Sequence, residues 1–327
     1  MSSSMEAIVI PRFGGPEVLE IQQVPKPVPT LGEVLVKVRA FGINHAEMHM
    51  RKGEWDEWNP ITGLECVGIV EACPGDEFSV GSKVIGVMGG MGRNRPGSYG
   101  EFVTVPVTNV ARVETNLPWE ELAVVPEVYS TAYSCLFTVL DVKAGESVLI
   151  RGATSTIGQA AVNLAVNAGV KVTATTRREG RFKMLKEMGV TEVVLEHDNL
   201  ASEFPAGTSF DKVLNLIGNR ALLESIELVR AGGRMLQAGW LGGLAPVKDF
   251  NPMVQMKPGV HFSLFHSKVL GTAEFPLSRI PLQEIVDKIE KKAWDAKPTY
   301  VFDWRDIRKA HELLDSHNAG GKIVAKH

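Results

Sequence analysis

The segment Val148-Leu-Ile-Arg-Gly-Ala-Thr-Ser-Thr-Ile-Gly158-Gln-Ala-Ala carries the most chemistry in this chain. An apolar strand runs into a tight turn of small residues, and a helix opens at once. Such a turn aims backbone N–H groups and a helix N-terminus at one point, where the pyrophosphate of a dinucleotide binds. Gly152 and Gly158 keep side chains away from the phosphates. Thr154, Ser155, Thr156 and Ile157 line the same turn, and Ser155 and Thr156 can add hydroxyl donors. Only the outer glycines of a G-x-G-x-x-G pattern are present, so the assignment rests on the strand–turn–helix context. The next strand, Lys171-Val-Thr-Ala-Thr-Thr-Arg-Arg178, bears on which dinucleotide is bound. A site for NAD places an acid at its end to bond the ribose hydroxyls. Here Thr176 takes that place, Arg177 and Arg178 follow, and the first acid is Glu179. A hydroxyl and guanidinium groups suit a 2′-phosphate that a carboxylate would repel, so the expected cofactor is NADPH. Gly218 and Gly239, directly after two later strands, are assigned to the same cofactor site.

Other residues invite chemical readings. His45-Ala-Glu47-Met-His49 puts two histidines at i and i+4, but the Glu lies midway between them, unlike H-E-x-x-H. The cluster reads as a polar edge of a substrate cleft rather than a metal site. Trp55 and Trp58 read equally as a loop cap or as a stacking surface for substrate. His261 and His266 read as structural histidines, with proton donation as the alternative.

The elements that must position these residues form two textures. Up to about residue 118, short β-rich runs alternate with Gly and Pro: a hairpin from Glu6–Ile10 and Val18–Gln22, then strands at Glu33–Ala40, Cys66–Ala72, Lys83–Val87 and Tyr99–Val105. This predicts a partly open β-barrel. From about Trp119, strands alternate with helices: Ser147–Arg151, helix Gln159–Ala168, Val170–Thr175, helix Arg181–Met188, Glu192–Leu195, Asp211–Ile217, helix Arg220–Val229 and Arg234–Ala238. That alternation predicts βαβ units in a doubly wound parallel sheet. After about Gly271 the mixed texture returns, with helices at Leu282–Lys292 and Trp304–Ser316 and strands at Thr299–Phe302 and Lys322–Ala325.

Composition narrows the class. A chain of 327 residues with 44% apolar and 22% charged residues suits two globular domains. A net charge of −3 gives no footprint for nucleic acid, and no apolar run looks long enough to cross a bilayer. Cys66, Cys73 and Cys135 lack a disulfide spacing, and the first residues lack a secretory signal, so a cytoplasmic protein is expected.

Landmarks along the whole chain carry a family resemblance: Phe13-Gly-Gly-Pro-Glu-Val-Leu19, Pro25-Lys-Pro-Val-Pro29, Gly42-Ile-Asn44, Gly63-Leu-Glu65-Cys-Val-Gly68, Gly97-Ser-Tyr-Gly-Glu-Phe102, Ser130-Thr-Ala132 and Gly321-Lys-Ile-Val324. In this order and spacing they resemble the medium-chain dehydrogenase/reductase family, in its zinc-free, quinone-oxidoreductase-like branch. The resemblance implies an α/β fold: a GroES-like catalytic domain over residues 1–125, a Rossmann domain over 126–268, and a return to the first domain over 269–327. A homodimer is also expected. The family's zinc enzymes use Cys, His and Cys, where this chain has Asn44, Leu64 and Glu127, so no metal is expected. By the resemblance, Asn44 and Thr131 fix the nicotinamide and its ribose, with Ser130 and Tyr99 beside them. Glu47 matches a position that is usually Asp. Enoyl reductases of the family often place a proton-donating Tyr where this chain has Trp55.

Without zinc to polarise a simple ketone, conjugated acceptors are the easier substrates. The expected activity is therefore hydride transfer from NADPH to a quinone or α,β-unsaturated carbonyl. An enoyl-thioester reductase and a non-catalytic NADPH-sensing protein are the alternatives. A short-chain dehydrogenase would need a Tyr-x-x-x-Lys, which the chain lacks.

Overall fold

The computed structural model describes residues 4–316 and 318–327. The strands are, in chain order, β1 (Ser4–Val9), β2 (Glu20–Pro25), β3 (Glu33–Ile43), β4 (Glu65–Ala72), β5 (Lys83–Val87), β6 (Phe102–Pro106), β7 (Val110–Arg112), β8 (Ser147–Arg151), β9 (Lys171–Thr176), β10 (Glu192–Leu195), β11 (Phe210–Asn215), β12 (Val229–Gln237), β13 (His261–Leu264), β14 (Tyr300–Asp303) and β15 (Ile323–Lys326). The helices are α1 (His45–Lys52), α2 (Trp119–Leu122), α3 (Pro126–Tyr133), α4 (Thr156–Asn167), α5 (Phe182–Glu187), α6 (Leu222–Glu227), α7 (Pro252–Gln255), α8 (Leu282–Glu290) and α9 (Ile307–Asp315). The chain divides into two units, residues 1–130 with 267–327, and residues 131–266, so the division falls within α3.

The first unit is built on a largely antiparallel sheet in the order β14-β15-β3-β4-β5-β7, with β6 also paired to β3, and a separate β1–β2 hairpin. Strand β3 is its backbone. Its alternation of Val34, Val36 and Val38 buries one face, and these residues join Ile8, Phe41, Cys66, Val84 and Val103 in the core. It outruns the expected Glu33–Ala40 because its last residues pair with β15, from Ala40 opposite Lys326 to Ile43 opposite Ile323. That partner lies hundreds of residues away and leaves no local trace. The expected strand at Tyr99 starts later, at Phe102, because the preceding backbone serves the hairpin: the Ile8 N–H donates to the Tyr99 carbonyl at 2.8 Å.

The second unit is a six-stranded, all-parallel sheet in the order β10-β9-β8-β11-β12-β13. Counted from β8 this is 3-2-1-4-5-6, the doubly wound Rossmann order, and its switch point lies between β8 and β11. Ligands of such sheets bind outside the carboxyl ends of the strands at that point. Strand β13 is an addition to the strands expected from the sequence. Helix α4 begins at Thr156 because Ser155 caps it, accepting from the Gly158 N–H at 3.1 Å.

The stretch Trp119–Val139 corrects one expectation: it is 21 residues long and apolar enough, by length and composition, to cross a membrane. It is 78% buried inside the protein and carries Glu120, Glu121 and Glu127, as suits a core helix.

Candidate functional site

The phosphate turn sits where β8 ends at the switch point. Gly152 takes φ +81°, a left-handed conformation that side chains resist. Gly158 must be glycine for another reason: a Cβ there would lie 2.4 Å from the Gly152 carbonyl oxygen. The turn is also anchored from beneath. The Gly152 N–H donates to Thr175 Oγ1 at 3.1 Å, and the Ala153 N–H donates to the Thr175 carbonyl at 3.1 Å. Thr175 Oγ1 in turn donates to Glu196. Arg151, 1% exposed, spreads its guanidinium over Glu196, Glu224, the Ala221 carbonyl and Ser225 Oγ. This arginine ends the apolar strand β8 and is committed to Glu196 and Glu224, so it is structural rather than a phosphate ligand.

Above that anchor, Thr154, Ser155, Thr156 and Ile157 form the turn itself, and the first amides of α4 have no intrahelical acceptor. Thr154 Oγ1 lies 3.4 Å from Thr176 Oγ1, which also accepts from the Arg178 N–H at 3.3 Å. Arg177 and Arg178 are exposed and make no ion pair among the described residues. Gly218 and Gly239 meet at the ends of β11 and β12, since a Cβ on Gly218 would lie 2.8 Å from the Gly239 carbonyl oxygen. The structure thus brings Gly152, Thr154, Ser155, Thr156, Ile157, Gly158, Thr176, Arg177, Arg178, Gly218 and Gly239 to one edge of the second unit. The turn and the bare glycines fit a dinucleotide.

In the first unit, Asn44 caps α1 inside a buried ionic cluster. Its Nδ2 donates to Glu65 Oε1 at 3.0 Å and to Glu47 Oε1 at 3.3 Å, and its Oδ1 accepts from Lys322 Nζ at 2.5 Å. Lys322 Nζ also donates to Glu65 Oε1, and Glu65 Oε2 accepts from the Glu127 N–H at 2.8 Å. Glu47 accepts from the Asn44 and Leu64 N–H groups. Both carboxylates are fully buried. Burial, with the neighbouring Glu65, pushes the Glu47 carboxyl up to about 7 against the pull of Lys322 and Asn44. With both amide hydrogens of Asn44 engaged, the side chain can offer a ligand only the second lone pair of Oδ1. Ser130 on α3 is fully buried, and its Oγ has no hydrogen-bond partner among the described residues. Such an orphan hydroxyl suits a group the protein itself does not supply. Thr131, beside it, is also buried.

Some residues leave the candidate set. Tyr99 is 0% exposed and packed on Phe41, and unlike that of Ser130 its hydroxyl is already partnered inside the first unit, 3.0 Å from His311 Nε2. Burial also holds its hydroxyl well above the usual tyrosine range. His49 pairs with Glu54 and stacks on Trp55. Trp55 is covered further by the Arg93 guanidinium, 4.9 Å from its ring centroid. Trp58 packs edge-on against Phe13. His266 stacks on Trp240, and His261 is exposed on β13. Lys322, Glu65, Thr175 and Glu196 were not anticipated as site residues. The one available signal was a charge inside an apolar strand run, as in Glu65-Cys-Val-Gly-Ile-Val and Gly321-Lys-Ile-Val.

Comparison with known proteins places this geometry. Residues 30–115 match the alcohol dehydrogenase GroES-like domain and residues 156–276 match the zinc-binding dehydrogenase domain. The human (Homo sapiens) quinone oxidoreductase is 27% identical over 98% of this chain and 97% of its own. The chain belongs to the medium-chain dehydrogenase/reductase family. Within the family it is quinone-oxidoreductase-like, with a GroES-like domain and an NAD(P)-binding Rossmann domain. A mycobacterial structure complexed with NADPH superposes with a TM-score of 0.83 at 27% identity, covering 99% of this chain and 100% of that one. An NAD-dependent alcohol dehydrogenase gives a TM-score of 0.82 at 28% identity with the same coverage. The zinc of the family's alcohol dehydrogenases does not fit this chain. Leu64 has no donor atom, Glu65 and Glu47 are committed to Lys322, Asn44 and backbone amides, and no group of three metal-ligating side chains occurs among the described residues.

Proposed function

We propose that this family member is a zinc-independent, NADPH-dependent reductase of quinones or α,β-unsaturated carbonyls. The observation that carries the cofactor choice is the end of β9, where Thr176 stands in place of an acid and the exposed Arg177 and Arg178 have no carboxylate partner among the described residues. Both guanidinium groups are available to a 2′-phosphate. Gly152, Gly158 and the first amides of α4 would hold the pyrophosphate, Gly218 and Gly239 would leave room for the nicotinamide half, and Asn44, Ser130 and Thr131 would fix the ring and its ribose. When bound, NADPH supplies a hydride. The protein's part is to orient the acceptor and exclude water. The acceptor's own conjugation carries the electron pair to its oxygen, which takes a proton from solvent. Trp55, stacked between a histidine and an arginine, has no acidic proton to give, which favours this reading over a strict enoyl-thioester reductase.

A homodimer is part of the proposal. Edge strand β13 pairs only with β12 among the described residues and exposes Phe262 and Leu264, with Leu241, Leu244, Met253 and Val254 also exposed in the same unit. An apolar, unpaired edge is a template for strand addition. The buried cysteines form no disulfide among the described residues, which accords with a reducing, cytoplasmic setting. Side-by-side titration of NADPH and NADH by protein fluorescence tests the cofactor assignment. Equal affinity for the two would refute it.

A further inference from the structure

The first unit contains a cavity of about 540 Å³ whose apolar walls are Trp58, Met88 and Met91 and whose charged residues include Glu57, Arg93 and Lys268. It adjoins the Asn44 cluster: the Met88 N–H donates to the Leu64 carbonyl, and the Leu64 N–H donates to Glu47. A space of this size holds a molecule of one or two fused rings.

Arg93 is the unusual residue. It is 9% exposed, and burial lowers its proton affinity. Its Nε is buried without an acceptor among the described residues, and its sole carboxylate contact is Glu57, at 3.4 Å from Nη1. That carboxylate is exposed and is shared with Lys268 Nζ at 3.3 Å. A guanidinium has five N–H donors, and a buried one needs acceptors to offset lost hydration. Here the protein provides a long bond to a half-engaged surface acid and, across one face of the guanidinium, the Trp55 ring, which is no acceptor for the N–H groups at its edge. Asp56 at the rim is exposed, so the acids of this cavity face water while its arginine does not. A charge in the less polar position dominates the local field.

We propose that this cavity receives the hydride acceptor, and that Arg93 selects acceptors in which a flat conjugated frame bears an anionic group such as a carboxylate or sulfonate. The frame lies against Trp58, Met88 and Met91, while the anion takes the guanidinium edge that Glu57 holds weakly. This rests on the reductase reading for the identity of the acceptor, and on the cavity alone for its charge.

The test uses the full-length protein with two acceptors, naphthoquinone and its sulfonate, and two non-reacting probes, naphthoate and naphthylmethanol, followed by tryptophan quenching. Because the sulfonate alters quinone reactivity, the quantity read is the ratio of kcat/KM for the two acceptors, compared between wild type and variants. Arg93→Gln lowers that ratio, and lowers naphthoate affinity relative to naphthylmethanol, by about tenfold, the worth of one charge-assisted bond. Arg93→Lys retains most of the ratio. Glu57→Gln, a change at an exposed residue that leaves the fold intact, tightens naphthoate by removing its competitor. An unchanged ratio in Arg93→Gln, or naphthoate binding that is indifferent to Glu57→Gln, overturns the proposal even if both quinones turn over. Arg93-dependent naphthoate binding by a protein that reduces neither these quinones nor an α,β-unsaturated ketone supports the anion pocket and refutes the reductase reading.

Discussion

Glu47→Gln is the sharpest perturbation of the buried cluster. The carboxyl of Glu47 is raised from 4.5 to about 7 by burial and by Glu65, while in the unfolded chain it titrates near its ordinary value. Between those values the folded state keeps a proton that the unfolded state has released. Stability from this group is therefore fully present below about pH 4.5 and is lost as pH rises to about 7. The shift corresponds to about 3 kcal/mol, an upper figure because the chain can relax around a buried charge. Glutamine keeps the shape and cannot ionise, although its amide meets the Asn44 N–H and leaves one donor facing another, a cost of about 1–3 kcal/mol at every pH. Urea unfolding of both proteins at intervals from pH 4.5 to 8 isolates the effect, because other groups titrate alike in each. The wild type's advantage over the variant should shrink by about 3 kcal/mol across this range. A difference that stays constant with pH would refute the assignment of a protonated Glu47.

Three further expectations follow from the same structure. Burial holds His311 down to about 3, so the unfolded chain gains a proton on acidification that the folded one refuses. Stability is lost as pH falls below 6.5, and His311→Gln should remove about 2 kcal/mol of the wild type's decline between pH 6.5 and 5, as read by denaturant midpoints. Arg177→Ala combined with Arg178→Ala should weaken NADPH binding by about 1–2 kcal/mol, discounted for solvent exposure, and leave NADH binding nearly unchanged; equal losses for both would contradict a 2′-phosphate site. Gly158→Ala, whose Cβ would lie 2.4 Å from the Gly152 carbonyl oxygen, must shift the turn, and NADPH affinity measured by calorimetry should fall at least tenfold while the fold persists.

What could be read in advance was local. The Ser147–Arg151 strand, the small-residue turn and the capped helix after it are contiguous, so composition alone exposes them, and the alternation beyond them predicts the parallel sheet. The antiparallel strands β4 and β5 announce themselves by β-branched runs between glycines. What was hidden depends on distant partners. Lys322 meets Glu65 across 257 positions and Arg51 meets Asp315 across 264, and no window of sequence relates such residues. The extension of β3 needs β15, and the burial of Tyr99 needs His311 from α9. Helix α1 was not expected because half of its buried residues, Glu47 and Arg51 beside Met48 and Met50, are charged and so hide the helical period, and because His45–His49 was read as a polar edge of a cleft rather than as a capped helix.

Metal-free hydride transfer from NADPH to a conjugated acceptor is the reaction proposed for this protein. Its most direct test is stopped-flow measurement of NADPH oxidation, after exhaustive dialysis against a strong chelator, with a quinone and with a simple aliphatic ketone. Multiple turnovers are expected with the quinone, little with NADH in place of NADPH, and none with the ketone. Quinone turnover that vanishes on chelation and returns with zinc would contradict it, as would ready reduction of the ketone.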